Sequence, residues 1–418
     1  MEKKKRSGKL RMEDMIPDES KRKEVMGRLY NGDPILGDGG IFTDLLQSMV
    51  NIALEGEMDA TLKANQGNGT GNRRNGHTKK TVRSPAGPLE ISTPRDRIGE
   101  YDPVLVKKWE RELGVGVDEI ILSLYARGHS VEDVRQQLRH LYGLEISAGV
   151  ISAVTDRILP EILEWQQRPL ASCYTVIYLD AIHYKVRDEG RFVSKAIYSC
   201  YGVDVHGNRD VLGLYLNESE GSRQWGLILE DLQRRGIQDV LFFCVDGLAG
   251  FKEVIEQVYP MSTVQRCVVH LIRSSTRFVS SKNIRAVCAD LKRIYTASNI
   301  QQAELALEVF GQRWDKKYKE VRIKWEENWM DVMAFMDYGR HIRKMIYTTN
   351  PVEALHRVMR KATKSKAAWC NDKALIKQLY LVLKYNEKSW KKNAYNWLGI
   401  QRELIEQFKD RYEKHLQH

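Results

Sequence analysis

The stretch YTVIYLD, residues 174–180, is a run of β-branched and aromatic side chains that ends in a carboxylate. Such a run is typical of a buried strand. A second run, residues 240–245, is wholly apolar and is followed directly by Asp246-Gly247. The sequence therefore predicts two buried strands, each of which delivers a carboxylate to the end of a sheet.

The segments around these two strands predict the rest of an α/β core. Two strand-like runs are joined by the turn His206-Gly-Asn208, a helix is stopped by Gly236, and another helix precedes a last strand. The predicted ranges are strands 192–205 and 210–216, helices 222–235 and 251–258, and a strand at 262–269. This is the element order of an RNase H-like fold: a mixed five-stranded sheet flanked by helices.

In that fold the first and fourth strands are neighbours, so Asp180 and Asp246 are expected side by side. Two adjacent carboxylates repel each other unless a cation neutralises them, which favours a site for a hard metal ion. Taken singly, each residue favours a simpler role: a helix N-cap for Asp246 and an ordinary surface position for Asp180.

A third carboxylate follows the segment Tyr347-Thr-Thr-Asn-Pro-Val-Glu353. Asn350 is predicted as the N-cap of a helix, with Pro351 at its first position and Glu353 in its first turn. The alternative role of Glu353 is capping, which is worth under ~1 kcal/mol. The same helix then carries a basic stripe without an acid before Asp372, consisting of Arg357, Arg360, Lys361, Lys364 and Lys366. A carboxylate beside such a stripe is what we expect if Glu353 binds a metal ion next to the phosphate backbone of DNA. We therefore predict that Arg357, Arg360, Lys361 and Lys364 bind DNA.

Between Arg273 and this helix the pattern is helical for some 70 residues, which predicts an all-α insertion into the core. Trp325 and Trp329 lie four residues apart and so share one face of a helix. They are interpreted as core residues; the alternative is that one of them stacks on an unpaired base.

The N-terminal part is basic and is expected to bind DNA or to dimerise. Residues 41–63 have the spacing of an amphipathic helix. The Gly- and Asn-rich segment 65–83 is predicted to be a flexible basic loop on phosphates or simply a solvated loop. Gly87-Pro88 is predicted to break the chain between residues 81–82 and 89–91, which form a short hairpin that ends at residues 94–97. The cations that we predict to bind DNA in this loop are Arg73, Arg74, Lys79 and Lys80.

Three helical patterns follow, at residues 119–126, 130–141 and 147–163. Ser130 and Ser147 stand at N-cap positions, and Asp133 follows Ser130 by three residues. A helix-turn-helix with residues 147–157 as its recognition helix is one interpretation; a plain three-helix bundle is the other.

Length and composition agree with a multidomain protein that holds a polyanion. The chain has 418 residues and a net charge of +11. The predicted domains are a flexible basic arm (1–40), a helix with basic loop and hairpin (41–115), a helix-turn-helix-like domain (116–170), the first part of the core (171–275), the insertion (276–345) and the completion of the core with C-terminal helices (346–418). We expect no membrane span and no secretory signal, hence a cytoplasmic location with six reduced cysteines.

The motifs resemble those of bacterial mutator-type insertion-sequence transposases, which are acidic-triad (DDE) transposases. The resemblance runs from about Met58 to Trp397. The motifs that carry it are Tyr178-Leu-Asp180-Ala, Val203-Asp-Val-His-Gly207 with Asp210-Val-Leu-Gly213, Asp246-Gly-Leu-Ala-Gly250-Phe251, Val264-Gln-Arg-Cys267-Val-Val-His270-Leu-Ile-Arg273, and Ile342-Arg-Lys with Tyr347-Thr-Thr-Asn-Pro-Val-Glu353.

The resemblance implies that Asp180, Asp246 and Glu353 form the catalytic, metal-binding triad. Cys267 and His270 match a motif of the family, but no second pair with zinc-site spacing occurs, so a supporting role is expected for them and for Asn350. The sequence departs from the family pattern at Ala354, His356 and Trp369, where serine, asparagine and phenylalanine are usual. These departures place the fine positioning of DNA ends in question.

The expected function is a transposase that binds terminal inverted repeats and catalyses cleavage and strand transfer with two Mg²⁺ ions, for which Mn²⁺ can substitute. The expected partners are double-stranded DNA and further copies of the chain in a dimer or larger oligomer, in a bacterial cytoplasm and at the nucleoid when bound to DNA. The alternatives are a catalytically inactive DNA-binding protein of transposase origin and an RNase H-like nuclease without strand transfer.

Overall fold

A computed structural model describes residue 16 and residues 18–66, 72–111, 116–142, 144–218, 221–247 and 250–416. The chain divides after Arg157 into two compact units. The first unit contains α1 Glu19–Tyr30, α2 Ile41–Gln66, β1 Arg74–Ser84, β2 Gly87–Asp96, α3 Val117–Ala126, α4 Val131–Tyr142 and α5 Ala148–Asp156.

Two predictions for the first unit need correction. The expectation of an arm without regular structure over residues 1–40 is wrong for α1, which Asp18 caps by accepting hydrogen bonds from Ser20 and Lys21; residues 1–15 and 17 lie outside the described residues. The expectation of a loop up to residue 83 is wrong from Arg74 onward, since β1 pairs antiparallel with β2 from Arg74 to Ser84. The predicted hairpin and the amphipathic helix are confirmed: Leu54 of α2 packs against Val82 and Leu89.

The caps predicted for the three-helix segment are confirmed. The backbone N–H of Ser130 donates to Asp133 at 2.8 Å, and that of Asp133 donates to Ser130 Oγ at 3.1 Å. Ser147 Oγ accepts from the backbone of Val150 at 3.4 Å. The single helix predicted over 147–163 is wrong, because α5 ends at Asp156 and a new helix with Pro160 in its first turn begins in the second unit.

The second unit contains the remaining elements. They are α6 Leu159–Gln167, β3 Cys173–Asp188, β4 Arg191–Asp204, β5 Arg209–Asn217, α7 Ser222–Arg234, β6 Asp239–Val245, α8 Phe251–Val258, β7 Thr263–Arg266, α9 Val268–Ser275, α10 Ser281–Tyr295, α11 Ile300–Glu327, α12 Trp329–Met333, the 3₁₀ turn Ala334–Asp337, α13 Arg340–Ile346, α14 Asn350–Thr363, α15 Asp372–Tyr385, α16 Glu387–Trp390, α17 Trp397–Phe408 and α18 Asp410–Glu413.

The sheet of this unit has five strands in the order β5-β4-β3-β6-β7, so the predicted contact between the first and fourth core strands is confirmed. β3, β4 and β5 are antiparallel, whereas β6 and β7 run parallel to β3. β3 does not end at Asp180 as predicted: it continues to Asp188 because β4 stays paired with it along this length. β6 does end at Val245, opposite Leu179. The predicted last strand also stops early, at Arg266 instead of residue 269.

Apolar layers cover both faces of the sheet. On one face, Trp225 of α7 and Phe251 of α8 stack with ring centroids 4.7 Å apart and pack against β6. On the other face lies a larger core built by the helices from α9 onward, and Trp325 and Trp329 belong to it or pack against it. Their interpretation as core residues is therefore confirmed. Between β7 and α14 the described residues form helices and no strand.

No helix in the described part of the chain is both long and apolar enough to cross a membrane.

Glu403 of α17 stabilises the first turn of α13. Its carboxylate accepts backbone hydrogen bonds from His341 and, at 2.9 Å, from Ile342, and it also contacts His341 Nδ1 at 2.7 Å. Burial acts to raise the pKa of Glu403, but these hydrogen bonds outweigh it and lower the pKa below the ordinary 4.5. The stabilisation is therefore complete above the unfolded-state pKa and is lost as the pH falls through the lower folded-state pKa.

We expect Glu403→Gln to lower the free energy of unfolding by about 1–2 kcal/mol near neutral pH, because backbone donors lose a charged acceptor. The difference from the unmodified protein should vanish as the pH falls through and below 4.5. Thermal unfolding across this pH range measures it. Glu406→Gln, an exposed change on the same helix, serves as the control. If the difference in unfolding free energy between Glu403→Gln and the unmodified protein does not change with pH, the charged carboxylate of Glu403 is not the stabilising group.

Candidate active site

Asp180 and Asp246 occupy equivalent positions on neighbouring parallel strands. Leu179 of β3 is paired with Val245 of β6, and each is followed directly by one of the two carboxylates. Asp180 is largely covered, with 13% of its side chain exposed, whereas Asp246 is 47% exposed at the end of β6. The sheet register therefore brings the two predicted carboxylates to the same edge.

Glu353 reaches the same edge from the first turn of α14. The predicted N-cap is wrong by one residue: the helix begins at Asn350, with Thr349 at the cap position, and the backbone N–H of Asn350 donates to Thr348 Oγ1 at 3.1 Å. Glu353 stays in the first turn, where its backbone N–H donates to the carbonyl of Thr349 at 3.0 Å. The predicted helix start is thus shifted without moving Glu353 out of the site.

Two cationic side chains of α9 join the carboxylates. His270 Nε2 lies 3.1 Å from Glu353 Oε1, and His270 Nδ1 lies 3.6 Å from Asp246 Oδ1. Arg273 binds Glu353 through both of its terminal nitrogens, at 2.6 and 3.0 Å. The pKa of His270 is raised to about 9, first by its hydrogen bond to Cys267 and then by the nearby charges of Asp246 and Asp180. His270 therefore lies between Asp246 and Glu353.

Cys267 connects this site to the start of α14. Its sulfur accepts hydrogen bonds from the backbone N–H and the hydroxyl of Thr349, both at 3.3 Å. Burial acts to raise the pKa of the Cys267 thiol, but the hydrogen bonds from His270 and Thr349 outweigh it and lower the pKa. These contacts agree with a supporting role, because they hold together the helix of His270 and the residue that precedes the helix of Glu353.

His356 is a site residue that the sequence reasoning missed. Its Nδ1 lies 3.3 Å from Asp180 Oδ2, and its Nε2 contacts Ser199 Oγ at 2.9 Å on β4. A histidine that bridges a hydroxyl and a carboxylate fixes the orientation of the carboxylate. Its spacing of three residues from Glu353 was the available signal, since it places both side chains one turn apart on the same helix.

The other two departures from the family pattern lie outside this arrangement. Ala354 is exposed on α14. Trp369 is buried and packs edge-to-face against Tyr184, with ring centroids 5.1 Å apart. Its backbone N–H donates to the carbonyl of Lys185 on β3, and its carbonyl accepts from the N–H of Arg187. Trp369 therefore supports the extension of β3 beyond Asp180.

The basic residues of α14 are all exposed, and three of them share the face of Glu353. Arg357, Arg360 and Lys364 follow Glu353 by four, seven and eleven positions, which is the spacing of one helix face, while Lys361 lies beside it. The predicted stripe is thus available to an anion that lies along the helix from the carboxylate.

The four predicted DNA-binding cations of the first unit differ in their surroundings. Arg73 and Lys79 are exposed. Arg74 is bound by Glu55 and Asp59 of α2, and Lys80 donates to the carbonyl of Lys107 at 2.6 Å, with its pKa lowered by burial. Arg74 and Lys80 therefore contribute to the packing of this unit, which makes Arg73 and Lys79 the better candidates for phosphate contacts.

The donor set of the triad suits a hard divalent cation. Three carboxylates supply oxygen ligands of the kind that Mg²⁺ and Mn²⁺ prefer. Their oxygens contact His270, Arg273 and His356. A different group of side chains, Cys173, Asp239 and His415, is the one among the described residues whose possible ligand atoms all lie within 4.8 Å of one another. That group lies where β3 and β6 begin, and its Asp239 is bound by Arg411, so it does not suit a cation.

Comparison with known proteins identifies the family of the chain. The family model described as "Transposase, Mutator family" matches residues 23–393. The transposase for insertion sequence element ISRM3 of Rhizobium meliloti (strain 1021) is 38% identical over 395 residues, covering 93% of this chain and 98% of that protein. A probable transposase for an insertion sequence element of Corynebacterium diphtheriae is 38% identical over 291 residues, covering 69% of this chain and 84% of that protein.

Among solved structures, the Drosophila P element transposase strand transfer complex aligns with 71% of this chain and 86% of that chain at 11% identity. Its TM-score of 0.29 is too low to establish a common fold. The family model and the ISRM3 transposase each cover most of the sequence, and the range matched by the family model contains Asp180, Asp246 and Glu353. The chain therefore belongs to the Mutator family of transposases.

Proposed function

We propose that this chain is a DNA transposase that binds the terminal inverted repeats of its element and catalyses metal-dependent strand cleavage and strand transfer. The observation that carries the proposal is the placement of Asp246 and Glu353 on either side of His270, with Asp180 at the matching position of the neighbouring strand, beside an exposed basic helix face. The relatives, which are named as transposases of insertion sequence elements, support the same reaction class.

Asp180, Asp246 and Glu353 are the residues that would hold two Mg²⁺ ions, for which Mn²⁺ can substitute. Bound ions of this kind activate an attacking oxygen and stabilise a leaving one in phosphodiester displacement. The attacking groups are water at the transposon end and then the freed 3′-hydroxyl, so no covalent protein intermediate is needed.

The other residues of the site position the reactants. His356, held by Ser199, orients the carboxylate of Asp180. Cys267 and Thr349 fix the start of α14 and therefore the position of Glu353. Arg273 adds a fixed positive charge beside Glu353, where a negatively charged phosphate must approach.

The order of strands and helices supports an RNase H-like core, and the helical residues between β7 and α14 support an all-α insertion in it. The three-helix segment α3–α5 remains a candidate helix-turn-helix, and with β1 and β2 it would recognise transposon ends. Pairing two ends of double-stranded DNA requires at least a dimer. We place this activity in the bacterial cytoplasm, at the nucleoid when DNA is bound.

The decisive experiment uses the purified full chain and labelled DNA that carries the element's own ends. We expect cleavage and strand joining with Mg²⁺ or Mn²⁺, and neither reaction once EDTA has removed the metal. Cleavage without joining would identify a nuclease, and binding without either reaction would identify an inactive DNA-binding protein; each result overturns the proposal.

The basic face of α14 predicts the salt dependence of DNA binding. The logarithm of the binding constant falls linearly with the logarithm of the salt concentration, and each lost phosphate contact makes this slope less steep by about 0.9 on double-stranded DNA. The triple change Arg357→Ala, Arg360→Ala and Lys364→Ala should therefore reduce the slope by about 2.7 and weaken binding to specific and unrelated DNA alike. The control changes Lys316, Lys317 and Lys319, exposed lysines of α11, to alanine. Equal slopes for the two triple variants contradict a role for this face.

A further inference from the structure

Three cavities that share lining residues follow one another past the start of α14. The first, of about 770 Å³, lies between α10, the 3₁₀ turn and α13; the second is about 500 Å³ and the third about 590 Å³. Arg340, Lys344 and Tyr347 line both the first and the second cavity, and Arg209 and Pro351 line both the second and the third. We call these three linked cavities the α14 groove.

The α14 groove is strongly cationic. Among the described residues that line it there is no aspartate or glutamate, although the chain as a whole has 55 of them. Its first two cavities carry Lys292, Arg340 and Lys344, which are exposed, and its third carries the basic residues of α14. Arg209 connects the second and third cavities, and its Nε is buried without a hydrogen-bond partner. A groove of this charge matches a phosphodiester backbone.

Aromatic rings line the same groove. Tyr295 and Tyr347 in the first cavity are half-buried and lie almost parallel, at 14°, with centroids 6.3 Å apart. Tyr395 in the second cavity is 91% exposed, and Trp390 lines the third. Aromatic faces along a cationic groove are the features by which proteins bind unpaired nucleic-acid strands, because every exposed base can stack on them.

The size of the cavities favours an unpaired strand over a duplex. Each lies within the range of about 300–1,000 Å³ that is usual for small-molecule sites. Such a cavity accepts a nucleotide, whereas the bases of a duplex have both faces covered by their neighbours. The groove passes close to the predicted reaction site, because Pro351 lines it and Glu353 lies in the same first turn of α14.

We propose that the α14 groove binds an unpaired stretch of DNA next to the scissile phosphate, with bases stacked on Tyr295 and Tyr347 and the backbone held by Arg209, Arg340 and Lys344. This inference rests on the proposed function, because DNA is chosen over RNA on the strength of the family. It goes beyond the proposed function because it states where an unpaired DNA strand binds and which residues stack on its bases.

The test compares, without divalent metal, the affinity of the full chain for a blunt duplex and for the same duplex with an unpaired oligo(dT) extension. The extension should increase affinity at least about fivefold. The double change Tyr295→Leu and Tyr347→Leu should abolish this increase, whereas Tyr295→Phe with Tyr347→Phe should retain it because the rings remain. Phe278→Leu, a change at a ring that is 86% exposed outside the groove, is the matched control.

The contribution of the positive charges of the groove is tested by the salt dependence of binding to the duplex with the extension. Arg340→Ala with Lys344→Ala should lower the salt slope for the extension by about 0.7 per residue, and Lys316→Ala with Lys319→Ala should not. Extensions that contain 5-iodouracil should cross-link to Tyr295, Tyr347 or Tyr395 on irradiation. This readout does not depend on the stability of any variant.

The outcomes separate this inference from the proposed function. Equal affinity for the two duplexes, cross-links only outside the groove, or tighter binding of an RNA extension than of the DNA extension overturns the groove assignment. If the chain still cuts and joins blunt ends in those cases, the proposed activity stands. A chain that binds the extension through these tyrosines but never cuts DNA retains the groove and loses the proposed activity.

Discussion

Asp180→Asn, Asp246→Asn and Glu353→Gln are each expected to lower the rates of strand cleavage and strand joining by at least about a thousandfold, which corresponds to ~4 kcal/mol of transition-state stabilisation. The amide keeps the size of the side chain but removes the charge that a divalent cation requires. Because a negative charge near the phosphates is lost, DNA binding should stay the same or become tighter.

Single-turnover cleavage of labelled ends and a parallel binding assay measure the two effects separately. Glu320→Gln, which changes an exposed carboxylate on α11, is the control and should react normally. Glu353 is the most informative position, because Arg273 and His270 already neutralise its carboxylate in the present arrangement. An active Glu353→Gln protein would falsify its role as the third ligand and leave it a structural partner of Arg273.

Phe243→Ala is expected to destabilise the second unit by about 3–5 kcal/mol, the usual cost of removing a buried phenyl ring and leaving a cavity. Phe243 is fully buried on β6, three residues before Asp246, and its ring lies 5.4 Å from that of Tyr259. The loss of packing therefore also loosens the strand that positions Asp246.

Phe192→Ala provides a matched control, because Phe192 stands on β4 of the same sheet with 68% of its surface exposed. Its effect should stay within about 0.5 kcal/mol. Thermal and denaturant-induced unfolding, followed by a tertiary-structure signal, compare the two proteins. Similar midpoints for Phe243→Ala and Phe192→Ala contradict the assignment of Phe243 to the core.

Local sequence was sufficient for the two central strands. The runs that precede Asp180 and Asp246 are long and apolar, and such runs are stable only when both faces of a sheet are covered. The end of β3 was mispredicted because Ala181 to Asp188 alternate between buried and exposed positions and pair with β4 across a hairpin. A carboxylate in the middle of a strand looks like its end when the pairing partner is unknown.

The basic segment of the first unit was mispredicted for a similar reason. Residues 74–80 have little intrinsic preference for a strand, yet they pair with β2, and Arg74 and His77 bind acidic residues of α2. Strand propensity depends on neighbours more than on the backbone. The same contacts decide which cations remain available for phosphate.

By itself, the sequence determined the order of strands and helices in the core of the second unit, the choice of the three candidate carboxylates and the basic face behind Glu353, because hydrophobic periodicity and helical spacing are local properties of the chain. Only the tertiary structure decided what surrounds the carboxylates. Ser199 and His356, and likewise Arg273 and Glu353, are far apart along the chain, and the α14 groove combines residues from β3 to α17. Such contacts depend on how the sheet and helices pack, and short-range spacing carries no record of that packing.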